Sequence, residues 1–102
     1  MIGFIKQLFG GKSVDYKELM AQGAVIVDVR TPAEYKTGHI RGSINLPLQT
    51  LSSQLNKIKK DKPVITCCAS GMRSASAKSI LRGAGFENVH NGGGWSSLQH
   101  KV

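Results

Sequence analysis

The chain lacks a long hydrophobic run and has only two cysteines among its 102 residues. No apolar stretch approaches the ~20 residues that a membrane-spanning helix requires, so we expect no stable insertion into a membrane. The two cysteines, Cys67 and Cys68, are adjacent and form no disulfide framework, which favours a reducing, cytoplasmic location. The length suits one domain with a single modest core.

Acidic residues are scarce, since 14 Lys and Arg face only 6 Asp and Glu and the formal net charge is +8. This excess of positive charge raises the question of whether the protein binds nucleic acid, but few aromatic side chains are present to stack on bases. The densest basic run, residues 57–62, is expected at a helix end, where cations suit the helix dipole. We therefore expect no nucleic-acid binding, and a positive field that attracts small anions instead.

The first residues form a separate apolar segment. Residues 1–9 are too short for the hydrophobic region of a secretory signal and have no small-residue cleavage site. We predict that residues 1–12 form a short amphipathic segment that packs on the domain or on a neighbour. A weak membrane-surface anchor is the less favoured alternative. Residues 13–102 are then the domain.

Apolar runs and helical patterns alternate along the domain, without repeats or low-complexity segments. Strands are predicted at 24–29, 42–46, 64–67 and 86–90. Helices are predicted after Asp15 and Thr31, which begin capping boxes, along the face of Leu51, Leu55 and Ile58, and over 74–82. Residues 92–95 read as a turn into a terminal helix fragment. Alternation of this kind predicts an α/β fold with a mostly parallel sheet.

Cys68 follows a buried strand and precedes a helix, a position that favours a nucleophile. The first turn of a helix has unpaired N–H groups and a positive dipole end, so a thiol there loses its proton more readily. Gly71 lets the main chain turn its amides toward an anion. Arg73 and Ser74 follow at the helix start, and Arg73 supplies a planar cation. Cys67, inside the apolar run, is expected to be a small buried hydrophobe.

Three charged residues lie within the predicted strand at 24–29 or shortly after it. In a parallel sheet, ligands gather beyond the carboxyl ends of the strands, so Asp28, Arg30 and Glu34 are expected near the Cys68 loop. For these residues a structural role is favoured over substrate contact. Arg30 and Glu34 are expected to pair and to hold the segment after the strand.

Four motifs in one order resemble the rhodanese family of single-domain sulfurtransferases. They lie at 28–35, 38–47, 68–73 and 92–95, and the resemblance covers nearly the whole chain. It implies a single rhodanese-like domain with about five strands flanked by helices. It also implies that Cys68 carries a persulfide, with the other loop residues forming its cradle: Ala69, Ser70, Gly71, Met72 and Arg73. Arg73 would bind the donor anion or brace the loop.

The resemblance implies a small anionic sulfur donor, thiosulfate or a persulfide, and an acceptor such as cyanide, a thiol or a protein persulfide acceptor. The mechanism requires no cofactor. Cysteine and histidine residues show no zinc-ligand spacing.

Two alternatives remain from the residues alone. A loop counted from Cys67 to Arg73 resembles that of cysteine-dependent phosphatases or oxyanion reductases, although Thr66 stands where such phosphatases have histidine. The other alternative is a non-catalytic module that carries or senses sulfur.

Overall fold

A parallel sheet of four strands organises the part of the chain that the computed structural model describes, residues 14–102. The predicted segment 1–12 lies outside these residues. The strands are β1 (Val25–Asp28), β2 (Ile44–Asn45), β3 (Val64–Cys68) and β4 (Val89–Gly94). They lie in the order β2-β1-β3-β4, and every neighbouring pair is parallel. The α/β class is confirmed; four strands in the described residues, rather than about five, is a minor difference.

Four α-helices accompany the sheet in the described residues: α1 (Tyr16–Ala21), α2 (Pro32–Lys36), α3 (Met72–Gly83) and α4 (Trp95–Leu98). The capping box at α2 is complete, because the Thr31 hydroxyl accepts from the Glu34 N–H and the Glu34 carboxylate accepts from the Thr31 N–H. At α1 only half of the box forms. Asp15 accepts from the Glu18 N–H, but the Glu18 carboxylate accepts from the Gln22 side chain instead.

Two 3₁₀ turns, Leu48–Ser53 and Leu55–Lys57, replace the predicted third α-helix. The hydroxyls of Thr50 and Ser53 each donate to the main-chain carbonyl three residues earlier, an alternative to helical hydrogen bonding that these side chains offer. The segment still buries Leu51 in the core, as the apolar spacing predicted.

Strand β4 begins later and runs further than the sequence pattern indicated. It includes the three glycines at 92–94, which were predicted as a turn. A Cβ on Gly94 would lie 2.9 Å from the carbonyl oxygen of Ala69, so only glycine lets β4 come this close to the Cys68 loop. The ladder with β3 also shifts register between Thr66 and Cys68 and pairs Cys68 with Gly94.

Two apolar clusters cover the two faces of the sheet. One lies under α3 and the 3₁₀ turns and includes Leu81 and Cys68; the other lies under α1 and α4 and includes Leu98 and Cys67. Successive residues of a strand point to opposite faces, so the adjacent cysteines face different clusters. Burial of one side chain such as Leu81 contributes about 1.5–3 kcal/mol. No helix in residues 14–102 has the length and hydropathy to cross a membrane.

Candidate active site

Cys68 is the last residue of β3 and is followed by a loop of three residues before α3 begins at Met72. The helix therefore starts two residues earlier than predicted. Gly71 is its N-cap, with φ at +106°, a left-handed conformation that favours glycine. The Cys68 side chain is buried, and Ala69 and Ser70 are exposed on the rim beside it. Met72 is 80% exposed.

The sulfur of Cys68 lies where main-chain amides converge. The N–H of Gly71 donates to Cys68 Sγ at 2.9 Å, and the N–H of Ser74 donates at 3.4 Å. The Ser74 hydroxyl oxygen lies 3.5 Å from the same sulfur. Gly71 and Ser74 thus place three polar groups around one atom at the start of a helix, an arrangement that can hold an anion.

This arrangement affects the ionisation of Cys68. Burial raises the pKa of the thiol, but hydrogen bonds outweigh it: from the Ser74 hydroxyl, and from the N–H groups of Ser74, Gly71 and Ser70. The net result is a pKa below that of an ordinary cysteine. The thiolate, which is the nucleophilic form, is therefore stabilised at this position.

Cys67 behaves in the opposite way. Burial, followed by the nearby Asp28 carboxylate, raises the pKa of Cys67 to about 12. Its side chain belongs to the cluster under α1 and α4, on the face away from α3. A neutral, enclosed thiol agrees with the prediction of a small buried hydrophobe.

Asn91 on β4 belongs to the site although the sequence did not single it out. Its Oδ1 accepts from the Ser74 hydroxyl at 2.6 Å and from the Gly93 N–H at 2.9 Å, while its Nδ2 donates to the Gly71 carbonyl at 3.3 Å. Asn91 therefore ties β4 to the two residues that contact the sulfur. The only signal in the sequence is its place just before the three glycines.

Arg73 pairs with Glu34 across the space between α3 and α2. Its Nη1 lies 2.7 Å from Glu34 Oε1 and its Nη2 lies 3.0 Å from Oε2, a bidentate ion pair. Hydrogen bonding to Arg73, and then to the Thr31 N–H, holds the pKa of Glu34 at about 2. Of the two roles predicted for Arg73, this geometry corresponds to bracing the loop.

Asp28 and Arg30 form a different, buried pair. Arg30 Nε and Nη2 donate to the Asp28 carboxylate, Nη2 also donates to the Gly38 carbonyl at 2.7 Å, and the guanidinium lies 4.7 Å from the Trp95 ring centre. With Glu34, Arg30 makes only a main-chain contact, through the Glu34 carbonyl. The predicted Arg30–Glu34 side-chain pair is therefore wrong, because Asp28 lies closer and both partners are buried.

Asp28 pairs in register with Cys67 rather than with Cys68. Of the three charged residues expected near the loop, Glu34 alone contacts a loop side chain, through Arg73. Asp28 and Arg30 hold the segment that carries α2 and so act on the loop indirectly.

A small cavity of about 160 Å³ adjoins the loop at Arg73. This volume is below the ~300–1,000 Å³ of pockets that bind drug-sized ligands. Its lining comes from the residue after β1, the N-cap of α2, the first 3₁₀ turn with its N-cap, and the first turn of α3: Val29, Thr31, Pro47, Leu48, Gln49 and Arg73. Within residues 14–102 no group of three His, Cys, Asp or Glu side chains is placed to hold a metal ion.

The sequence also matches a family model over nearly its whole length. The model of the rhodanese-like domain matches residues 13–101. The chain belongs to the rhodanese-like family. A solved structure described as a "rhodanese with anions from E. coli" has the same fold, with a TM-score of 0.68 and 33% identity over 72% of this chain and 88% of that one.

Curated relatives of this rhodanese-like domain include an enzyme and a protein of no stated activity. Thiosulfate sulfurtransferase GlpE of Pseudomonas entomophila is 38% identical over 73 residues, which is 72% of this chain and 67% of the relative. Uncharacterized protein YqhL of Bacillus subtilis is 41% identical over 68 residues, 67% of this chain. The match spans 54% of the length of YqhL.

Proposed function

We propose that this rhodanese-like domain is a sulfurtransferase that moves a sulfane sulfur from thiosulfate or a persulfide to a thiophilic acceptor. The sulfur travels as a persulfide on Cys68. The observation that carries the proposal is the convergence on Cys68 Sγ of the Gly71 N–H at 2.9 Å and the Ser74 N–H at 3.4 Å. Such fixed donors stabilise negative charge without reorganisation during the reaction.

In the first half-reaction the Cys68 thiolate attacks the outer sulfur of thiosulfate. A new S–S bond forms to Cys68, the S–S bond of thiosulfate breaks, and sulfite leaves with the bonding electron pair. With a persulfide donor, a thiolate leaves instead. The product anion lies on the outer sulfur of the Cys68 persulfide, and the amides of the loop residues 69–73 can donate to it.

In the second half-reaction the acceptor attacks the outer sulfur. Cyanide forms a C–S bond and leaves as thiocyanate, or a thiolate leaves as a new persulfide, and Cys68 recovers its electron pair as thiolate. Because the enzyme carries the sulfur between two substrates, ping-pong kinetics are expected. Atoms and charge balance without a metal, a redox partner or an organic cofactor.

The size of the loop favours sulfur over phosphate as the group transferred. Six residues from Cys68 to Arg73 surround a single atom beside the nucleophile, whereas tetrahedral phosphate needs a wider ring. The wider ring would have to begin at Cys67, whose thiol faces the opposite cluster and has a pKa of about 12. The GlpE relative is named a thiosulfate sulfurtransferase, which supports the same assignment.

A paired assay tests the proposal: thiocyanate formation from thiosulfate and cyanide, beside phosphate release from an aryl phosphate. We expect thiocyanate without phosphate, complete loss of thiocyanate in Cys68→Ser, and retention of most activity in Cys67→Ser. Phosphate release without thiocyanate would contradict the proposal in favour of the phosphatase loop. Absence of both activities, with no sulfur added to Cys68, would favour a binding module.

We further propose that the reaction takes place in the cytoplasm. Both cysteines are free thiols, and Cys68 must stay reduced between turnovers. A reducing compartment preserves thiols, whereas an oxidising one would consume the nucleophile. A small sulfur donor and a thiol or protein acceptor are the partners that this chemistry requires.

A further inference from the structure

The cation of the Cys68 loop is already paired in the structure. Both Nη atoms of Arg73 donate to the Glu34 carboxylate, at 2.7 and 3.0 Å. Arg73 is the only charged residue between Cys68 and Ser74. The positive charge that would meet an incoming anion is therefore cancelled by a carboxylate at contact distance.

Glu34 is fixed from its other side as well. Its Oε1 accepts from the Thr31 N–H at 3.0 Å and from the Thr31 hydroxyl at 3.1 Å. These bonds belong to the capping box that starts α2, so moving the carboxylate away from Arg73 would also open the helix start. With a pKa of about 2, Glu34 stays ionised throughout the range in which a thiol nucleophile operates.

The sulfur itself is held mainly by uncharged donors. After burial, which opposes ionisation, the strongest influences on Cys68 are the Ser74 hydroxyl and the N–H groups of Ser74, Gly71 and Ser70. Such a cradle is matched to one negative charge on one sulfur atom. It offers no unpaired side-chain cation for the second charge of a donor such as thiosulfate.

We infer that Glu34 is a specificity-determining residue: by pairing with Arg73, it directs the site toward donors with a singly charged sulfane sulfur, such as alkyl persulfides, and away from the thiosulfate dianion. The inference rests on the proposed sulfur transfer and adds the class of donor. Coulomb energy scales with the product of the charges, so an uncancelled Arg73 would favour a dianion more than a monoanion. Glu34 acts through Arg73 and need not touch the donor.

The variant Glu34→Gln tests this assignment. Glutamine keeps the size of the side chain and an oxygen that can accept from the Thr31 N–H, but it leaves the charge of Arg73 uncancelled. We expect kcat/KM for thiosulfate, relative to that for an alkyl persulfide without other ionisable groups, to rise about tenfold. The gain should lie mainly in a lower KM for thiosulfate and should shrink as salt is added. An unchanged ratio, or a higher KM for thiosulfate, would overturn the inference.

Two further variants separate the inferred cause from others. In Glu34→Gln/Arg73→Gln the uncancelled cation is absent, so the ratio should return to that of the unaltered protein. If the gain persisted there, repulsion by Glu34 rather than pairing with Arg73 would be its source and the inference would fail. Glu18→Gln removes one carboxylate from α1, on the other face of the sheet, and should leave the ratio unchanged.

The same experiment distinguishes this inference from the proposed function. If the unaltered protein takes up sulfur on Cys68 from both donors and Glu34→Gln does not alter their ratio, only the specificity assignment fails. If Cys68 accepts sulfur from neither donor, sulfur transfer itself fails.

Discussion

Asn91 Oδ1 lies 2.6 Å from the Ser74 hydroxyl oxygen, which in turn lies 3.5 Å from the sulfur of Cys68. A hydroxyl has one proton to donate. While that proton points to Asn91, the Ser74 oxygen can accept from the Cys68 thiol. When Cys68 ionises, the hydroxyl can donate to the thiolate only by leaving Asn91. The Gly71 carbonyl oxygen, 3.0 Å from the Ser74 hydroxyl, is a further acceptor for the same proton. The amide, this carbonyl and the thiolate therefore compete for one hydrogen bond.

Replacing Ser74 should raise the pKa of Cys68. The thiolate forms above this pKa, so the rate of alkylation should rise with pH and level off, with a midpoint below the free-thiol value of about 8.5. In Ser74→Ala the midpoint should move upward, because the hydroxyl is the strongest of the groups that stabilise the thiolate. Rates of iodoacetamide alkylation between neutral and alkaline pH measure the shift.

Ser70→Ala is the matched control for that change. The Ser70 side chain is exposed, and Ser70 contributes to the thiolate through its main-chain N–H, which alanine retains. Its midpoint should stay at that of the unaltered protein. Equal shifts in the two variants would mean that the loss of any loop hydroxyl, rather than the Ser74 contact, is responsible.

Replacing Asn91 should have the opposite effect on the midpoint. Asn91→Ala removes the acceptor at 2.6 Å, so the thiolate competes for the Ser74 proton only with the Gly71 carbonyl oxygen, at 3.0 Å, and the midpoint should fall. The lost hydrogen bonds to Ser74, Gly93 and Gly71 should also lower the free energy of unfolding by about 1–3 kcal/mol. Alkylation against pH, together with urea unfolding, measures both effects. A raised midpoint would indicate that Asn91 serves chiefly to orient the Gly71 peptide.

A methyl group at Gly94 should displace the Cys68 loop. The added Cβ in Gly94→Ala would stand 2.9 Å from the Ala69 carbonyl oxygen, so β4 or the loop must shift. We expect kcat/KM for sulfur transfer to fall about tenfold or more, since displacement of a positioned group by 1 Å is enough for losses of that order. Steady-state assays and urea unfolding measure the change.

Gly83→Ala provides the comparison for Gly94→Ala. Gly83 ends α3, and a Cβ there meets no atom within 4 Å. Alanine favours the helix over glycine by about 0.5–1 kcal/mol, so this variant should keep its activity and gain slight stability. Similar losses in both variants would show that the close approach of β4 to the loop is not the cause.

The buried ion pair of Asp28 and Arg30 should matter more for stability than for sulfur transfer. Arg30→Ala leaves the Asp28 carboxylate, which is fully buried, without its cation, and the free energy of unfolding should drop by about 3–5 kcal/mol. Arg41 is exposed, and Arg41→Ala should change the free energy of unfolding by less than about 0.5 kcal/mol. Urea unfolding of both variants measures these changes. A small loss of unfolding free energy in Arg30→Ala would mean that Asp28 finds another partner or water.

The sequence predicts the fold where local chemistry decides the structure. The capping box of Thr31 and Glu34 depends on residues three apart, and it forms as predicted. The apolar run at 64–67 specifies a buried strand, which extends to Cys68 in the structure, and Gly71 specifies the turn after it. These features also place Cys68 and the amides around its sulfur, so most of the cradle follows from one segment.

Contacts between distant segments account for what the pattern missed. Glycines 92–94 carry no side-chain periodicity, so their place in β4 depends on the approach of the Cys68 loop. Asn91 contacts Ser74 although the two are 17 residues apart in the sequence, and Glu34 contacts Arg73 at a separation of 39 residues. Leu51 and Ile58 are buried as their spacing indicates, but the segment forms 3₁₀ turns, in which the Thr50 and Ser53 hydroxyls donate to main-chain carbonyls.

Locating the transferred sulfur tests the central claim most directly. The protein is treated with thiosulfate and, separately, with an alkyl persulfide, alkylated, digested and analysed by mass spectrometry alongside Cys67→Ser and Cys68→Ser. The account predicts one added sulfur on Cys68 in the unaltered protein and in Cys67→Ser, and none in Cys68→Ser. Added sulfur on Cys67, or in Cys68→Ser, would contradict it.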